Sequence, residues 1–345
     1  MAIGLRQLAE ICKVSHTTIS RALNDDPRIS EAVKKHVKEV AQQYHYKPNR
    51  LVKGVMSGKT QSIAVVMSHS TKDIGGILGP IQRYFMEESY STLVYTTENK
   101  PEIEQLSFHE AVCHRVEGLI IAPSNQKATN KFFEELKKDN IPFVIIGPNV
   151  ESVKVPHVSA DDLGAMDQII THLVNLGHTR IAYLRGENNE DVIDKRYHGY
   201  LKTMQKFGLQ IDMDWIKLCD WKPEQAAECA ISAIRHKSRP TAIVCDNDSL
   251  AMGAMKGIRS IGLRIPEDVS ITGMGDDYFA PFLSPSLTTT SKVRELVGLA
   301  AAEQLWRMIS GGPDAPERNH KGTSIPVKII ERASTGPAPR QNGVA

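Results

Sequence analysis

Seven short apolar runs recur between residues 63 and 272, each separated from the next by a segment long enough for a crossover helix. They are Ile63-Ala64-Val65-Val66-Met67, Leu93-Val94-Tyr95, Gly118-Leu119-Ile120-Ile121-Ala122, Phe143-Val144-Ile145-Ile146, Arg180-Ile181-Ala182-Tyr183-Leu184, Ala242-Ile243-Val244-Cys245 and Val269-Ser270-Ile271-Thr272. Most lack the apolar–polar alternation of a half-solvated strand, so both faces of each are expected to be buried, the mark of a parallel sheet covered by helices on both sides. One sheet holding every such unit would be oversized. Two doubly wound parallel-sheet subdomains are expected instead, with a ligand cleft between them at the carboxyl ends of the strands.

The α/β pattern starts only near residue 61, and the charge is distributed accordingly. Residues 1–60 carry 11 Lys and Arg against 5 Asp and Glu, whereas the remaining 285 residues carry 31 against 35. A short basic module attached to a nearly neutral body suggests a polyanionic partner. Within the module, Leu5, Leu8 and Ala9 form one face of a first helix. Lys13-Val14 is a tight connection, Ser15 is suited to cap a second helix from His16 to Leu23, and Ser30 is suited to cap a third. Ile19, Ala22 and Leu23 supply the inner face of the second helix. Val33, Val37, Val40, Ala41 and Tyr44 supply that of the third. Three helices in about 45 residues with a tight first turn make an all-α helix-turn-helix head, expected over 1–48.

In such a unit the second helix enters the major groove. His16 and Thr17 stand at its start and Arg21 one turn on. An Arg fork grips guanine O6 and N7 together, while Thr18 and Ser20 are placed for phosphates or for their own backbone, and Ser15 and Asn24 complete the expected DNA-binding set. The plain alternative is that His16 and Thr17 are ordinary exposed helix residues. Residues 49–60 hold Arg50, Lys53 and Lys59 with Gly54 and Gly58. A helix so short and twice interrupted by Gly is marginal alone, which fits either a hinge that orders on DNA or a flexible linker.

The five cysteines (Cys12, Cys113, Cys219, Cys229 and Cys245) show no C-x-x-C pair and read as buried or incidental thiols of a reducing compartment. The start of the chain has no basic segment followed by an apolar one, and no run approaches the roughly 18 apolar residues of a membrane span. A cytoplasmic protein without metal, cofactor or membrane partner is expected.

Leu8-Ala9-Glu10, Val14-Ser15-His16-Thr17-Thr18-Ile19-Ser20-Arg21-Ala22-Leu23-Asn24 and Tyr46-Lys47-Pro48-Asn49 resemble the head of the LacI–GalR family of bacterial transcriptional regulators. The resemblance continues through Asp161-Asp162-Leu163-Gly164-Ala165, His172-Leu173, Leu176-Gly177-His178, Arg196, Gly199-Tyr200, Asn247-Asp248 and Ile265-Pro266, and through Pro285, Leu287, Thr288 and Thr289. It implies a periplasmic-binding-protein-like core over 61–332, with subdomains 61–160 plus 291–322 and 161–290 plus 323–332. Three crossovers would lie near residues 160, 290 and 323, followed by a disordered tail over 333–345. It also implies a homodimeric repressor on a pseudo-palindromic double-stranded operator. Asn49 and Lys53 would meet the DNA backbone and Val55, or its neighbour Met56, would wedge the minor groove.

The same resemblance implies effector contacts at Asp73 and Ile74 after the first strand, Ser124 after the third, and Arg196, Trp221, Asn247, Asp248 and Asp276. A buried Arg suits a sugar or anion because its fork grips two oxygens, although a structural ion pair is the plain alternative; Trp221 is a stacking wall or a rim aromatic. The expected effector is a sugar or sugar derivative; many sugar-binding members carry carboxylates where this chain has Gly147 and Gly275, so either Asp276 or Asp73 replaces one of them or the effector brings its own negative charge, as a sugar phosphate or sugar acid does. Two rivals share the scaffold. An α/β enzyme is disfavoured because Gly75-Gly76-x-x-Gly79 lacks phosphate-loop spacing and there is no G-x-S-x-G. A soluble sugar-binding protein would have no use for the basic head.

Overall fold

The computed structural model describes residues 3–46, 59–67, 74–98, 100–123, 126–147, 155–186, 195–312 and 322–339. The chain forms two compact units, residues 1–61 and residues 62–345.

The first unit holds α1 (Leu5–Cys12), α2 (His16–Leu23) and α3 (Glu31–Gln43). Lys13 turns the chain between α1 and α2 in a left-handed conformation (φ 53°), and Ser15 Oγ accepts from Thr18 N at 3.1 Å, capping α2. Ser30 stands at the start of α3 without a side-chain cap bond, so its expected capping role rests on backbone conformation alone. Leu8, Ile19, Ala22 and Val37 are fully enclosed. Burying each of the larger three contributes about 1.5–3 kcal/mol, which a module this small needs to hold its helices together. Tyr44, expected on the inner face, is 43% exposed because it terminates α3.

In the second unit, β1 (Ser62–Met67), β2 (Ser91–Thr96), β3 (Leu119–Ala122), β4 (Phe143–Ile146), β5 (His157–Ala160) and β11 (Thr323–Ile325) form a parallel sheet in the order β11-β5-β4-β3-β1-β2. The period of two along β1 divides its side chains. Ile63, Val65 and Met67 pack on α4 (Gly79–Glu87) and α11 (Arg294–Ser310), through Ile81, Phe85, Val297 and Leu305. Ala64 and Val66 face α5 (Pro101–Cys113) and α6 (Gln126–Lys138), through Phe108, Phe133 and Leu136. Helices on both faces are why these runs read as continuous hydrophobics.

The second sheet, ordered β7-β6-β8-β9, uses β6 (Ile181–Arg185), β7 (Ile216–Leu218), β8 (Ala242–Cys245) and β9 (Ser270–Thr272). Its two faces are covered by α7 (Asp162–Asn175) with α8 (Lys195–Lys206), and by α9 (Pro223–Ile234) with α10 (Asp248–Ser260). Strands β10 (Thr289–Thr290) and β12 (Ile329–Ile330) pair antiparallel beside it.

The chain leaves the first sheet after β5 and returns to pack on it through α11, after β10. The third passage differs. β11 pairs with β5, Thr323 opposite Val158, so residues 323–325 belong to the first sheet and the crossing falls between β11 and β12. Gln168 holds it there, donating to Val327 O at 2.7 Å and accepting from Ile329 N at 3.1 Å. The expected disordered tail is likewise corrected over 333–339. Ser334 is fully buried and donates to Ile271 O at 2.6 Å, and Ala338 N donates to Leu176 O at 2.8 Å. Composition suggested disorder, but backbone groups of the second sheet's edge supply partners that no local sequence pattern reveals.

Candidate nucleic-acid interface and effector site

On α2, Ile19 and Ala22 turn inward, which leaves Ser15, His16, Thr17, Ser20, Arg21 and Asn24 exposed on the opposite face and Thr18 partly so. The positions 16, 17, 20, 21 and 24 follow the helical period, so they form one continuous stripe. Thr18 Oγ1 lies 2.8 Å from Ser15 Oγ and Asn24 Nδ2 donates to Ser20 O at 2.7 Å. These two side chains therefore finish the ends of the helix, while His16 and Arg21 project from its face. Arg28 takes Asp26 at 2.6 Å, and Arg21 Nε stands 3.9 Å from the same carboxylate. That loose contact leaves the Arg21 guanidinium, 44% exposed, able to swing to an outside acceptor. Asn49, Lys53, Val55 and Met56 lie outside the described residues.

In the second unit a cleft of about 90 Å³ opens where the chain passes between the sheets, lined by Asp162, Arg196, Asn247, Gly275, Ser291 and Arg294 among others. Arg196, on the first turn of α8, donates through Nε to Asp162 Oδ1 at 2.8 Å and through Nη1 to Asp246 O at 2.6 Å. Burial works against its positive charge, but Asp162 and Asp246 outweigh burial and raise its pKa. Its side chain remains 32% exposed. Arg196 is thus both the structural ion pair and a cation facing the cleft. Asn247 caps α10, its Oδ1 accepting from Leu250 N at 2.8 Å, which aims the residue from a fixed position.

Two expected contacts are placed elsewhere. Asp248 is fully buried, with Oδ1 accepting from Thr289 Oγ1 and Oδ2 from Asp277 N, each at 2.6 Å. Burial pushes its pKa up to about 6 despite those bonds. Asp276 pairs with Arg332 at 2.6 Å. Both carboxylates tie the β10 region to its neighbours and neither lines the cleft. Adjacency to Asn247 in sequence was misleading because the first turn of a helix sends successive side chains in different directions. Trp221 is 46% exposed and lies over Gly186, where a Cβ would come within 2.1 Å of its ring. Its ring covers Gly186 just beyond β6, and Trp221 is not among the residues that line the cleft. Asp73 and Ser124 lie outside the described residues, as does the side chain of Ile74.

Sequence reasoning missed Arg294, at the start of α11. Its Cβ would be 2.9 Å from a side chain at Gly76, and its Nη1 3.6 Å from one at Gly275. Gly275 has φ 115°, a backbone that L residues rarely adopt. The aliphatic stem of Arg294 thus packs tightly on Gly76 while its guanidinium lies in ordinary contact beside Gly275, and it stands 3.6 Å from Asp277. The absence of any bulk at 275 was visible in the sequence; that Arg294 lies beside it was not.

Asp212, Asp214 and His236 cluster closely enough to suggest a cation site. His236 Nδ1 accepts from Trp215 Nε1 at 3.3 Å and from Ser238 N at 3.2 Å. The ring proton is then on Nε2, which faces Asp214 at 3.6 Å and offers a metal no lone pair. No helix among the described residues is long and apolar enough to cross a membrane.

Comparison with known proteins agrees with both halves of this architecture. Residues 5–49 match the family described as "Bacterial regulatory proteins, lacI family", and residues 170–335 match the "Periplasmic binding protein-like domain". The chain is 30% identical over 351 residues to the HTH-type transcriptional regulator AglR of Rhizobium meliloti (strain 1021), covering 98% of this chain and 96% of that protein. It is 26% identical over 344 residues to the probable HTH-type transcriptional repressor ExuR of Bacillus subtilis (strain 168), covering 96% and 99%. Among solved structures, the lac repressor dimer bound to operator and the anti-inducer ONPF superposes with a TM-score of 0.87 at 23% identity, covering 97% of this chain and 100% of that one. A basic three-helix head with an exposed recognition stripe, joined to a two-sheet core with a cleft, therefore belongs to a DNA-binding transcription regulator of the lacI family.

Proposed function

We propose that this regulator is a twofold-symmetric homodimer that represses transcription by reading two half-sites of a pseudo-palindromic operator, and that a sugar derivative bearing a negative charge controls it from the cleft. In the head, Arg21 reads a guanine while His16 and Thr17 approach neighbouring base edges, with Ser15, Thr18, Ser20 and Asn24 near phosphates. Dimerisation is supported by Tyr278 and Phe282, which are 85% and 83% exposed on the segment between β9 and β10. Two aromatics so exposed cost free energy in water and suit a self-complementary interface.

The single observation that carries the effector reading is the pair of guanidiniums, Arg196 and Arg294, lining one cleft with Asp162, where Gly275 adds no second carboxylate. An effector carboxylate or phosphate engages both, and hydroxyls fall to Asn247 and Ser291. Because the cleft is lined by residues of all three passages between the sheets, ligand closure there changes how the two subdomains stand to each other. DNA affinity and effector affinity are then coupled reciprocally: an effector that weakens DNA binding binds the DNA complex less tightly by the same factor.

A thermal-shift screen against neutral sugars, sugar acids, sugar phosphates and purines tests the reading. Sugar acids or sugar phosphates are expected to raise the midpoint, their uncharged counterparts to leave it unmoved, and Arg196→Ala to abolish the shift while retaining DNA binding. Equal stabilisation by a neutral sugar and its acid would overturn the anionic assignment.

A further inference from the structure

The cysteines look scattered in sequence, yet Cys219 and Cys229 are brought together. Cys219 opens the turn after β7 and is fully buried; Cys229 lies on α9 and is partly exposed. Cys229 Sγ donates to Leu218 O at 3.5 Å, and Cys219 Sγ to Lys217 O at 3.8 Å. The two thiols thus sit beside consecutive carbonyls of one strand, with Cys229 Sγ against the peptide oxygen that directly precedes Cys219. The same turn carries Trp221, two residues on, in a left-handed conformation (φ 52°) with its ring against Gly186.

We propose that Cys219 and Cys229 are a peroxide-responsive pair that closes to an intramolecular disulfide and thereby stiffens the Trp221 turn, whose ring lies on Gly186 beside the Asp246 that holds Arg196. Cys229 is the attacking sulfur. It is the more exposed of the two, and the neighbouring Cys219 thiol, helped by Lys217, lowers its pKa against the effect of burial, which raises the thiolate fraction. Its thiolate displaces hydroxide from a peroxide, forming a Cys229 sulfenic acid. Cys219 then attacks that sulfur, the S–S bond forms and water leaves. Two thiols are oxidised by one peroxide, which is reduced to two waters. Cys245 is also near, but burial raises its pKa well above the ordinary thiol value, so it stays protonated and unreactive. The bridge joins the end of β7 to α9 across nine intervening residues, restricting the segment that holds Trp221.

The consequence for the cleft rests on the effector reading above, but formation of the bridge does not. The test is therefore chemical and uses the full-length protein. Hydrogen peroxide is added, free thiols are alkylated, and cysteine peptides are mapped under non-reducing conditions. A Cys219–Cys229 linked peptide lighter by two hydrogens is expected in the monomeric band, lost on dithiothreitol treatment and absent from Cys219→Ser and Cys229→Ser. Cys229→Ser also keeps a thiol at 219 for a folding check by circular dichroism. Tryptophan emission of the wild type, and not of either variant, is expected to shift reversibly as the bridge forms. The proposal fails if both thiols remain alkylatable after the exposed Cys113 has been consumed, if Cys229 passes to sulfinic acid unbridged, or if Cys219 links to Cys245.

Discussion

Replacing Asp248 by Asn is expected to stabilise the protein above pH 6 and to remove part of its pH dependence. Asp248 is fully enclosed at the start of α10, and its two oxygens accept from Thr289 Oγ1 and Asp277 N. Burial raises its pKa from 3.8 to about 6, and the neighbouring Asp277 and Asp276 add to the rise. The native state therefore holds this proton more tightly than the unfolded chain does. Stability from this group is fully present below about pH 4 and falls as pH rises to about 6, then levels off. A rise from 3.8 to about 6 corresponds to a loss of about 3 kcal/mol across that window. Asn keeps an oxygen for Asp277 N and offers an amide to the Thr289 hydroxyl, which can rotate to accept. Urea unfolding of both proteins from pH 4 to pH 8 isolates the group, because other titrating residues cancel in the difference. The difference is expected to grow in favour of the variant up to about pH 6. A flat difference curve, or a wild type more stable than Asp248→Asn at pH 7.5, would refute the reasoning. Since Asp248 does not line the cleft, the variant also keeps its ligand response.

Arg21→Ala is expected to weaken binding to the preferred duplex by about 1–3 kcal/mol and to relax the base preference at one position per half-site; fluorescence anisotropy with single-base operator variants checks this, and unchanged selectivity would remove Arg21 from the base-reading role. Gly253→Ala places a Cβ 2.0 Å from the Pro223 carbonyl oxygen, so α9 and α10 must separate. A loss of about 1–3 kcal/mol in unfolding free energy is expected, and an unchanged melting temperature would contradict the packing. His178 is buried, with Nδ1 2.9 Å from Thr241 Oγ1 and Nε2 3.0 Å from both Ser270 Oγ and Gly336 O. His178→Ala is expected to release residues 333–339, read as new trypsin cleavage after Arg332. Burial lowers the His178 pKa below 6.5, so its stabilising contribution is present above pH 6.5 and is lost on acidification, opposite in sign to that of Asp248.

Most of the head was legible because its determinants are local. A cap at Ser15, the 3.6-residue spacing of Ile19, Ala22 and Leu23, and a breaker at Pro27 define α2 within one stretch of chain, and its boundaries agree with expectation. The long apolar strands were legible for a similar reason, since burial on both faces leaves an unbroken hydrophobic run. The strands that escaped notice, β5, β7, β10, β11 and β12, are only two to four residues long, and all but β12 carry polar or charged side chains such as Ser159, Lys217 and Ser324. They exist because a neighbouring strand offers unpaired backbone groups, information that lies elsewhere in the chain.

The amino-acid order by itself determined which residues are apolar, at what period, and where turns and caps interrupt them, and from these follow the helical head and the parallel α/β core. Only the tertiary structure decided which charged groups share a cleft and which are locked away. Arg294 reaches Gly275 across 19 positions, Asp248 meets Thr289 across 41, and Ser334 enters a sheet edge 63 residues upstream. The physical reason is that a carboxylate or guanidinium takes its role from the dielectric and partners around it, and those are supplied by packing between distant segments rather than by neighbours in sequence.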